Sequence, residues 1–359
     1  MRKRWKILIG VGGALLVTIL APILYVETAC RGPLDAVRPD SPYRPLLAAG
    51  PGRRKEARTW LTYPEWHIVY SAESYGRFLR ERPPSAFPYF RHIGRFWSSY
   101  CALNKVTSAS PGTREAKVMI YTIGISFTIE LGIKGLYENS IGRLVEASFG
   151  WHSANDAWGG EVQRRYGAFM HETPWYEFPF KEAFAGLWRT KERREGVRQT
   201  ERYVALGTEY SVKAAYAGLI GWASNTTMGP DERTLRMVLP ADAPDPATLD
   251  SRLRLVGKIP DGAMVVETPR YAQLTDILAG LAQKGADPLE IAGNDDIFLT
   301  VLAPERAAAP PGATTLLTMP LDDRPGWRRL GLSIKVARLG ATLRAVRAGG
   351  AELEHVYDY

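Results

Sequence analysis

The pattern along the chain begins with an apolar run that follows a basic start. Residues 7–25 carry no charge over nineteen positions, directly after the segment Met1-Arg-Lys-Arg-Trp-Lys6. A run of this length spans a bilayer and exceeds the hydrophobic region of a cleaved signal peptide. We therefore predict a signal-anchor transmembrane helix within residues 1–30. Its basic flank places the amino terminus in the cytoplasm and the bulk of the chain outside it.

Apolar residues recur at helical spacing in the next large part of the chain, residues 59–228. The pattern predicts helices at about 62–80, 87–106, 117–147, 155–171 and 181–202, and a last helix that ends near residue 225. Residues 31–58, which precede this part, are rich in Pro, Gly and Arg and predict an extended tether. The sequence therefore predicts a helical domain that is tethered close to the membrane.

The periodicity changes at Gly229-Pro230, and short strand-like runs follow. The predicted strands are 233–239, 252–259, 263–267, 288–292, 297–302, 314–319, 330–334 and 352–357, with helices at 271–284 and 337–347. We predict that residues 231–359 form a separate α+β domain. If the strands share one sheet, that domain is ferredoxin-like, which is the fold we predict. The same pattern also fits two separate β-α-β pieces.

Two apolar segments of the helical domain carry the same polar pattern, Glu-x3-Lys-x2-Tyr. It occurs at Glu130, Lys134 and Tyr137, and again at Glu209, Lys213 and Tyr216. On a helix these three side chains share one face, and small residues fall on the opposite face. Ions are costly to bury without close partners, so the two copies predict a polar cluster shared by two packed helices. We favour a structural clasp, and a substrate or proton site is the alternative.

The first copy lies within a segment that is nearly apolar enough to cross a membrane. Glu130 interrupts residues 118–133, and the second copy has two charges inside a similar run. Charges at that depth are rare and face the interior of a helix bundle. We favour a single-pass topology with the helical domain outside the membrane, and three spans remain the alternative.

Charge is distributed unevenly along the chain. The first 230 residues hold 31 Lys and Arg against 20 Asp and Glu, whereas residues 231–359 hold 15 against 18. A basic part beside a membrane favours contact with anionic lipids. No Lys/Arg-rich tract or recognised DNA-binding motif occurs, so we expect no nucleic-acid partner.

The candidate chemistry is sparse. His67 and His92 lie in the two aromatic helices, where they either bind a cofactor such as haem or serve as packing residues. No H-E-x-x-H, C-x-x-C, G-x-G-x-x-G, P-loop or G-x-S-x-G pattern occurs, so we expect no metal site. Cys30 and Cys101 form a disulfide or remain thiols, and the sequence leaves both open.

These observations predict a membrane-anchored protein of the cell envelope with a binding or assembly role. Lipid contacts are expected through the amino-terminal helix, and a protein partner is expected at the carboxy-terminal domain. The alternative is a membrane-bound enzyme or cofactor carrier with its pocket in the helical domain. The sequence does not identify a cofactor or a catalytic residue.

Overall fold

Helices and strands occupy two different compact units. The computed structural model describes residues 2–32, 43–50, 52–54, 59–107, 113–191, 196–224 and 234–358. The helical unit comprises Met1–Gly32 and Pro64–Thr227, and the α+β unit comprises Pro33–Tyr63 and Met228–Tyr359. The chain as a whole is therefore α+β. The predicted domain boundary at Gly229-Pro230 lies outside the described residues.

The helical unit contains eight α-helices in the described part of the chain. They are α1 Arg2–Ala29, α2 Tyr63–Phe78, α3 Tyr89–Thr107, α4 Thr113–Tyr137, α5 Arg143–Phe149, α6 Ala154–Phe169, α7 Phe180–Lys191 and α8 Val197–Ser224. A π-helical turn, Glu138–Gly142, joins α4 to α5. The predicted helix at 181–202 is divided, since α7 ends at Lys191 and Gly196 precedes α8. Glycine has the conformational freedom that disfavours a helix interior.

The end of α1 is fixed to α3 and α4. Cys30 forms a disulfide with Cys101 of α3, with the two Cα atoms 4.9 Å apart. Glu27 accepts hydrogen bonds from Lys117 at 3.0 Å and from Tyr121 at 2.6 Å. The disulfide thus resolves the alternative that the sequence left open, and it holds α1 to the rest of the helical unit.

One helical stretch in the described part of the chain is long and apolar enough to cross a membrane. It covers Ala116–Phe149, with a mean hydropathy of 1.4, and 17% of its apolar window is buried inside the protein. Leu16–Ala29 of α1 is a shorter apolar helix by the same measure. Length and composition therefore identify one candidate spanning helix.

α6 and α7 repeat α2 and α3 at a spacing of 91 residues. The identical positions are Tyr75/Tyr166, Gly76/Gly167, Phe78/Phe169, Glu81/Glu172, Pro83/Pro174, Phe87/Phe178, Pro88/Pro179 and Trp97/Trp188. The backbone repeats as well. After each of the 3-10 turns Pro84–Ala86 and Trp175–Glu177, the amide of the next phenylalanine donates to the carbonyl of the first turn residue at 3.2 Å. With α4 and α8 added, the helical unit contains two related halves, α2–α4 and α6–α8, in addition to α1 and α5.

The two halves contact each other reciprocally at two glycines. A Cβ on Gly76 would lie 3.1 Å from the Cα of Arg164, and a Cβ on Gly167 would lie 3.2 Å from the Cα of Glu73. Glu73 and Arg164 are themselves equivalent positions of the repeat. Gly76 of the first half therefore lies against Arg164 of the second, and Gly167 of the second half lies against Glu73 of the first. Such reciprocal contacts arise when two halves are related by an approximate two-fold axis. The glycines allow the two backbones to approach closely at that axis.

The α+β unit contains eight strands and three helices in its described part. They are β1 Thr234–Leu239, α9 Pro246–Leu249, β2 Arg254–Lys258, β3 Met264–Pro269, α10 Tyr271–Lys284, β4 Glu290–Ile291, β5 Asp296–Pro304, β6 Thr314–Pro320, β7 Trp327–Lys335, α11 Leu339–Ala348 and β8 Glu352–Tyr357. The strand and helix positions agree closely with those expected from the sequence.

The strands form two antiparallel sheets, so the single ferredoxin-like sheet is a wrong prediction. The sheet orders are β2-β3-β1-β4 and β6-β7-β5-β8, which is the same topology used twice. β1 pairs with β3 and β4, and β5 pairs with β7 and β8. β1 and β5 therefore each have a neighbouring strand on both edges within their own sheet. Neither has a free edge with which to pair with the other in a single sheet. Side chains from both sheets contribute to one hydrophobic core within the α+β unit.

The described part of the predicted tether, residues 43–50 and 52–54, packs within the α+β unit. The buried carboxylate of Glu290 accepts hydrogen bonds from the Tyr43 hydroxyl at 2.6 Å and from the amides of Leu46 and Leu47 at 2.5 and 2.9 Å. Farther along, the Arg54 amide donates to the Ala292 carbonyl at 2.9 Å. These bonds satisfy a carboxylate that would otherwise be buried without partners.

Candidate functional site

Two lysines and two glutamates from α4 and α8 meet inside the helical unit. Lys134 donates to both carboxylate oxygens of Glu209, at 3.0 and 2.8 Å. Lys213 lies 2.7 Å from Glu130 and 3.2 Å from Glu209. Each lysine therefore pairs with the glutamate of the other half. The two helices run antiparallel here, because position 134 faces 209 and position 130 faces 213.

The members of this axial cluster, Glu130, Lys134, Glu209 and Lys213, differ in their exposure. The side chains of Lys134, Glu209 and Lys213 are 15%, 16% and 12% exposed, whereas that of Glu130 is 45% exposed. A buried charge that loses its partner is strongly destabilising, whereas an exposed pair contributes little. Glu209 contacts both lysines and is therefore the member on which the pairing depends most.

Equivalent tyrosines of the two halves lie against the two ammonium groups. Lys134 Nζ is 4.5 Å from the centre of the Tyr75 ring, and Lys213 Nζ is 4.9 Å from that of Tyr166. A cation is attracted to the negative face of an aromatic ring. Burial raises the pKa of both tyrosine hydroxyls, so both rings stay neutral at physiological pH.

A second ionic cluster adjoins the axial cluster on one side. Arg202 donates to Glu138 at 2.7 and 3.2 Å and to Glu201 at 2.7 Å. Arg202 and Glu138 are almost completely buried, and Glu138 opens the π-helical turn. Turns of this type inside α-helices are frequent at functional sites. The position of α4 that matches Arg202 is Ile123, so this cluster occurs in one half only.

Arg198 extends the second cluster to the start of α6. Its guanidinium donates to the two oxygens of Asp156 at 3.0 and 2.7 Å. Asp156 also forms a capping box with Ser153 at the amino-terminal end of α6. The ion pair therefore fixes the segment that carries Trp151 and His152, which is one wall of the cavity described next.

A cavity of about 340 Å³ lies beside the two clusters, among α2, α4, α6 and α8. Cavities that bind small molecules have volumes of roughly 300 to 1,000 Å³. Its charged lining residues are Arg80, Lys134, Asp156, Glu161, Arg164, Arg202 and Glu209, and its larger apolar ones are Leu79, Trp151 and Leu206. The cavity thus combines ionic groups with apolar walls.

The cavity lies beside α6 of the second half, where small residues leave space for it. On α6, Ala157, Gly160 and Glu161 line the cavity, and the equivalent residues of α2 are Trp66, Val69 and Tyr70. Trp66 and Tyr70 are buried, with their rings 5.5 and 6.5 Å from the ring of His171. Large side chains therefore occupy in the first half the positions that leave space in the second.

The remaining residues of the Glu-x3-Lys-x2-Tyr pattern have different surroundings. The Tyr137 hydroxyl donates to Glu201 at 2.5 Å and belongs to the second cluster. The ring of Tyr216 is 5.3 Å from that of Trp175, and Tyr216 is 41% exposed. The structure thus brings four residues of the two patterns together in the axial cluster, places Tyr137 in the adjoining second cluster and leaves Tyr216 at the surface.

His67 and His92 are buried next to each other. Nε2 of His67 lies 3.2 Å from the backbone carbonyl oxygen of His92. The His92 ring stacks on Phe87 at 4.6 Å, and the His67 ring is 6.1 Å from that of Phe96. These contacts are those of packing residues, and a role in cofactor binding stays a prediction.

The described residues hold no metal-binding cluster, and the chain has no match among known proteins. Across the described ranges, no group of three or more His, Cys, Asp or Glu side chains is arranged to hold a metal ion. No protein-family model matches the chain, and no curated protein or solved structure matches it.

Sequence reasoning missed the second cluster and the cavity. Glu138, Glu201 and Arg202 stand outside the repeated pattern, and nothing in their spacing distinguishes them from surface ion pairs. The sequence did contain a signal for the cavity. The match between residues 75–97 and 166–188, extended towards the amino terminus at the same spacing, aligns Trp66 with Ala157. That alignment shows where the two halves have diverged.

We expect Glu209→Ala to lower the free energy of unfolding of the helical unit by on the order of 3 to 5 kcal/mol, because Lys134 is left buried without a carboxylate. Glu130→Ala should cost less than about 1 kcal/mol, because Glu130 is partly exposed and Lys213 keeps Glu209. Denaturant unfolding followed by circular dichroism compares the two variants. Equal losses would contradict the central position of Glu209.

Proposed function

We propose that this protein is a membrane-anchored protein of the cell envelope with a binding role, and that its ligand occupies the cavity of the helical unit. The observation that carries the proposal is the difference between the two halves. A purely structural repeat has no need to replace Trp, Val and Tyr by Ala, Gly and Glu at three equivalent positions. The replacement opens a cavity next to buried ionic groups, as a binding site requires.

The proposed ligand is a small molecule with an acidic group and an apolar body. Lys134, Arg164 and Arg202 each have a carboxylate partner, Glu209, Glu161 and Glu138 respectively. Arg80 also lines the cavity, and in the described part of the chain it has no ion pair. The Arg80 side chain is exposed, and an acidic group on the ligand would give it a partner. Leu79, Trp151 and Leu206 offer apolar surface for the rest of the molecule.

The amino-terminal helix is the proposed single-pass signal anchor, and residues beyond about 30 are proposed to lie outside the cytoplasm. The disulfide between Cys30 and Cys101 supports this location. Disulfides persist in oxidising compartments and are rare in the cytosol. The uncharged segment 7–25 and the basic residues before it support the same orientation. The α+β unit is the proposed docking site for a protein partner in that compartment.

The rival function is that of a membrane-bound enzyme or cofactor carrier that uses the same cavity. A visible absorption band of the purified protein would favour the rival, with His67 and His92 as the first ligands to test. An acidic organic compound in the cavity, without such a band, favours the binding function.

The Ala157→Trp variant tests the site, because it places in the cavity the residue that occupies the equivalent position of α2. We expect mild detergent extraction of the wild-type protein to yield a bound acidic compound by mass spectrometry. The variant should lose most of this compound and keep its helical circular dichroism spectrum.

The matched control is Ala168→Trp, which places the same side chain at an exposed position of α6 that does not line the cavity. It should retain the compound at the wild-type level. If the wild-type protein yields no bound compound, or if both variants retain it equally, the cavity is not the binding site.

Topology is tested separately with reporter fusions at Trp175 and Tyr359. A single amino-terminal span places both positions outside the cytoplasm, so both fusions should report an external location. A cytoplasmic signal at Trp175 together with an external one at Tyr359 would instead support three spans.

A further inference from the structure

The charged side chains of α8 all point away from its exposed face. The helix carries five of them, Arg198, Glu201, Arg202, Glu209 and Lys213, and each is buried or forms an internal ion pair. Among the side chains of α8 that the structure describes, the large exposed ones are Val197, Val204, Val212, Tyr216 and Leu219. A helix on the surface of a water-soluble protein has the opposite arrangement, with its charges outward.

α4 has the same inverted arrangement. Its outward face presents Val118, Met119, Ile133 and Leu136, with exposures between 43% and 66%. Among the described side chains of α4, Glu130 is the exposed charged one, and it pairs with Lys213. Ile133 and Val212 are equivalent positions of the repeated pattern, so the two halves present matching apolar faces.

Three of the exposed hydroxyl groups on these faces bond back to their own helices. Thr122 donates to the Val118 carbonyl at 2.9 Å, and Thr208 donates to the Val204 carbonyl at 2.8 Å. Ser140, in the π-helical turn after α4, donates to the Leu136 carbonyl at 2.6 Å. In water such a hydroxyl has solvent partners, whereas in hydrocarbon the carbonyl one turn earlier is the partner within reach.

The length and position of these faces indicate what covers them. The outward face of α8 carries no charge from Val197 to Leu219, which is about 33 Å at 1.5 Å per residue, so it can contact the outer leaflet over this whole length. α4 begins beside the end of α1, which the Glu27 hydrogen bonds and the disulfide join to the unit. The outward face of α4 therefore begins beside the end of the uncharged helix at the amino terminus.

We propose that the outward faces of α4 and α8 lie against the acyl chains of the outer membrane leaflet without crossing the membrane, so that the helical unit stays on the outer side and keeps its charges inside. This surface is additional to the amino-terminal anchor and does not depend on the identity of the ligand. Charged residues within a membrane face the interior of a helix bundle and pair with one another, which is the arrangement of both ionic clusters.

The test uses the full-length protein in phosphatidylcholine vesicles, with a single added cysteine that carries a fluorescent label. Ile133→Cys and Val212→Cys place the label on the two faces, and Ala168→Cys places it on the exposed side of α6. We expect lipids brominated on their acyl chains to remove most of the emission at positions 133 and 212 and little at 168. Aqueous iodide should quench in the opposite order.

Two results would overturn the proposal. If iodide quenches positions 133 and 212 as strongly as position 168, the faces lie in water. If neither quencher reaches positions 133 and 212 while iodide reaches 168, protein covers the faces, and a doubled mass in detergent would identify a second copy of this chain as the cover. Retention of the wild-type circular dichroism spectrum shows that each variant is folded.

Discussion

The ion pairing between α4 and α8 is the interaction on which the helical unit depends. Lys134 is largely buried, and the carboxylate that neutralises it belongs to the other half of the repeat. The first half cannot bury Lys134 alone without leaving an unpaired charge, which is strongly destabilising, whereas Lys213 also pairs with Glu209 of its own helix. The charges therefore do more than hold two helices together, because they specify that the halves pair about the axis where Gly76 and Gly167 allow close contact.

The two halves have diverged around this shared centre. Tyr75 and Tyr166 keep the same contact with a lysine, and the turns between the helices keep the same hydrogen bonds. The differences lie to one side, where Arg202 and Glu138 form a second ion pair and small residues of α6 leave a cavity. A duplicated framework can gain a binding site when one half changes. The unmodified half supplies rigidity, and the other half changes the residues that line the cavity.

Local patterns predicted the elements of both units well, whereas long-range pairing was harder to foresee. Periodicity placed α10 and most strands of the α+β unit, since these patterns depend on which face of each element is buried. It did not reveal that β1 and β5 are central strands of separate sheets, because strand order depends on pairing between distant residues. The Glu-x3-Lys-x2-Tyr pattern identified the axial cluster by residue number. It gave no means of knowing that Lys134 pairs with Glu209 of the other helix and that Tyr216 lies at the surface.

The central claim, that charges of one half are neutralised by the other, is tested most directly by double-mutant cycles in the helical unit. One cycle combines Lys134→Ala with Glu209→Ala, and the matched cycle combines Lys134→Ala with Glu130→Ala, whose glutamate is four residues away on the same helix. Pairing across the halves predicts a coupling energy of about 1 to 3 kcal/mol for the first cycle and one close to zero for the second. A larger coupling in the second cycle would show that each helix neutralises its own lysine, and it would contradict this account.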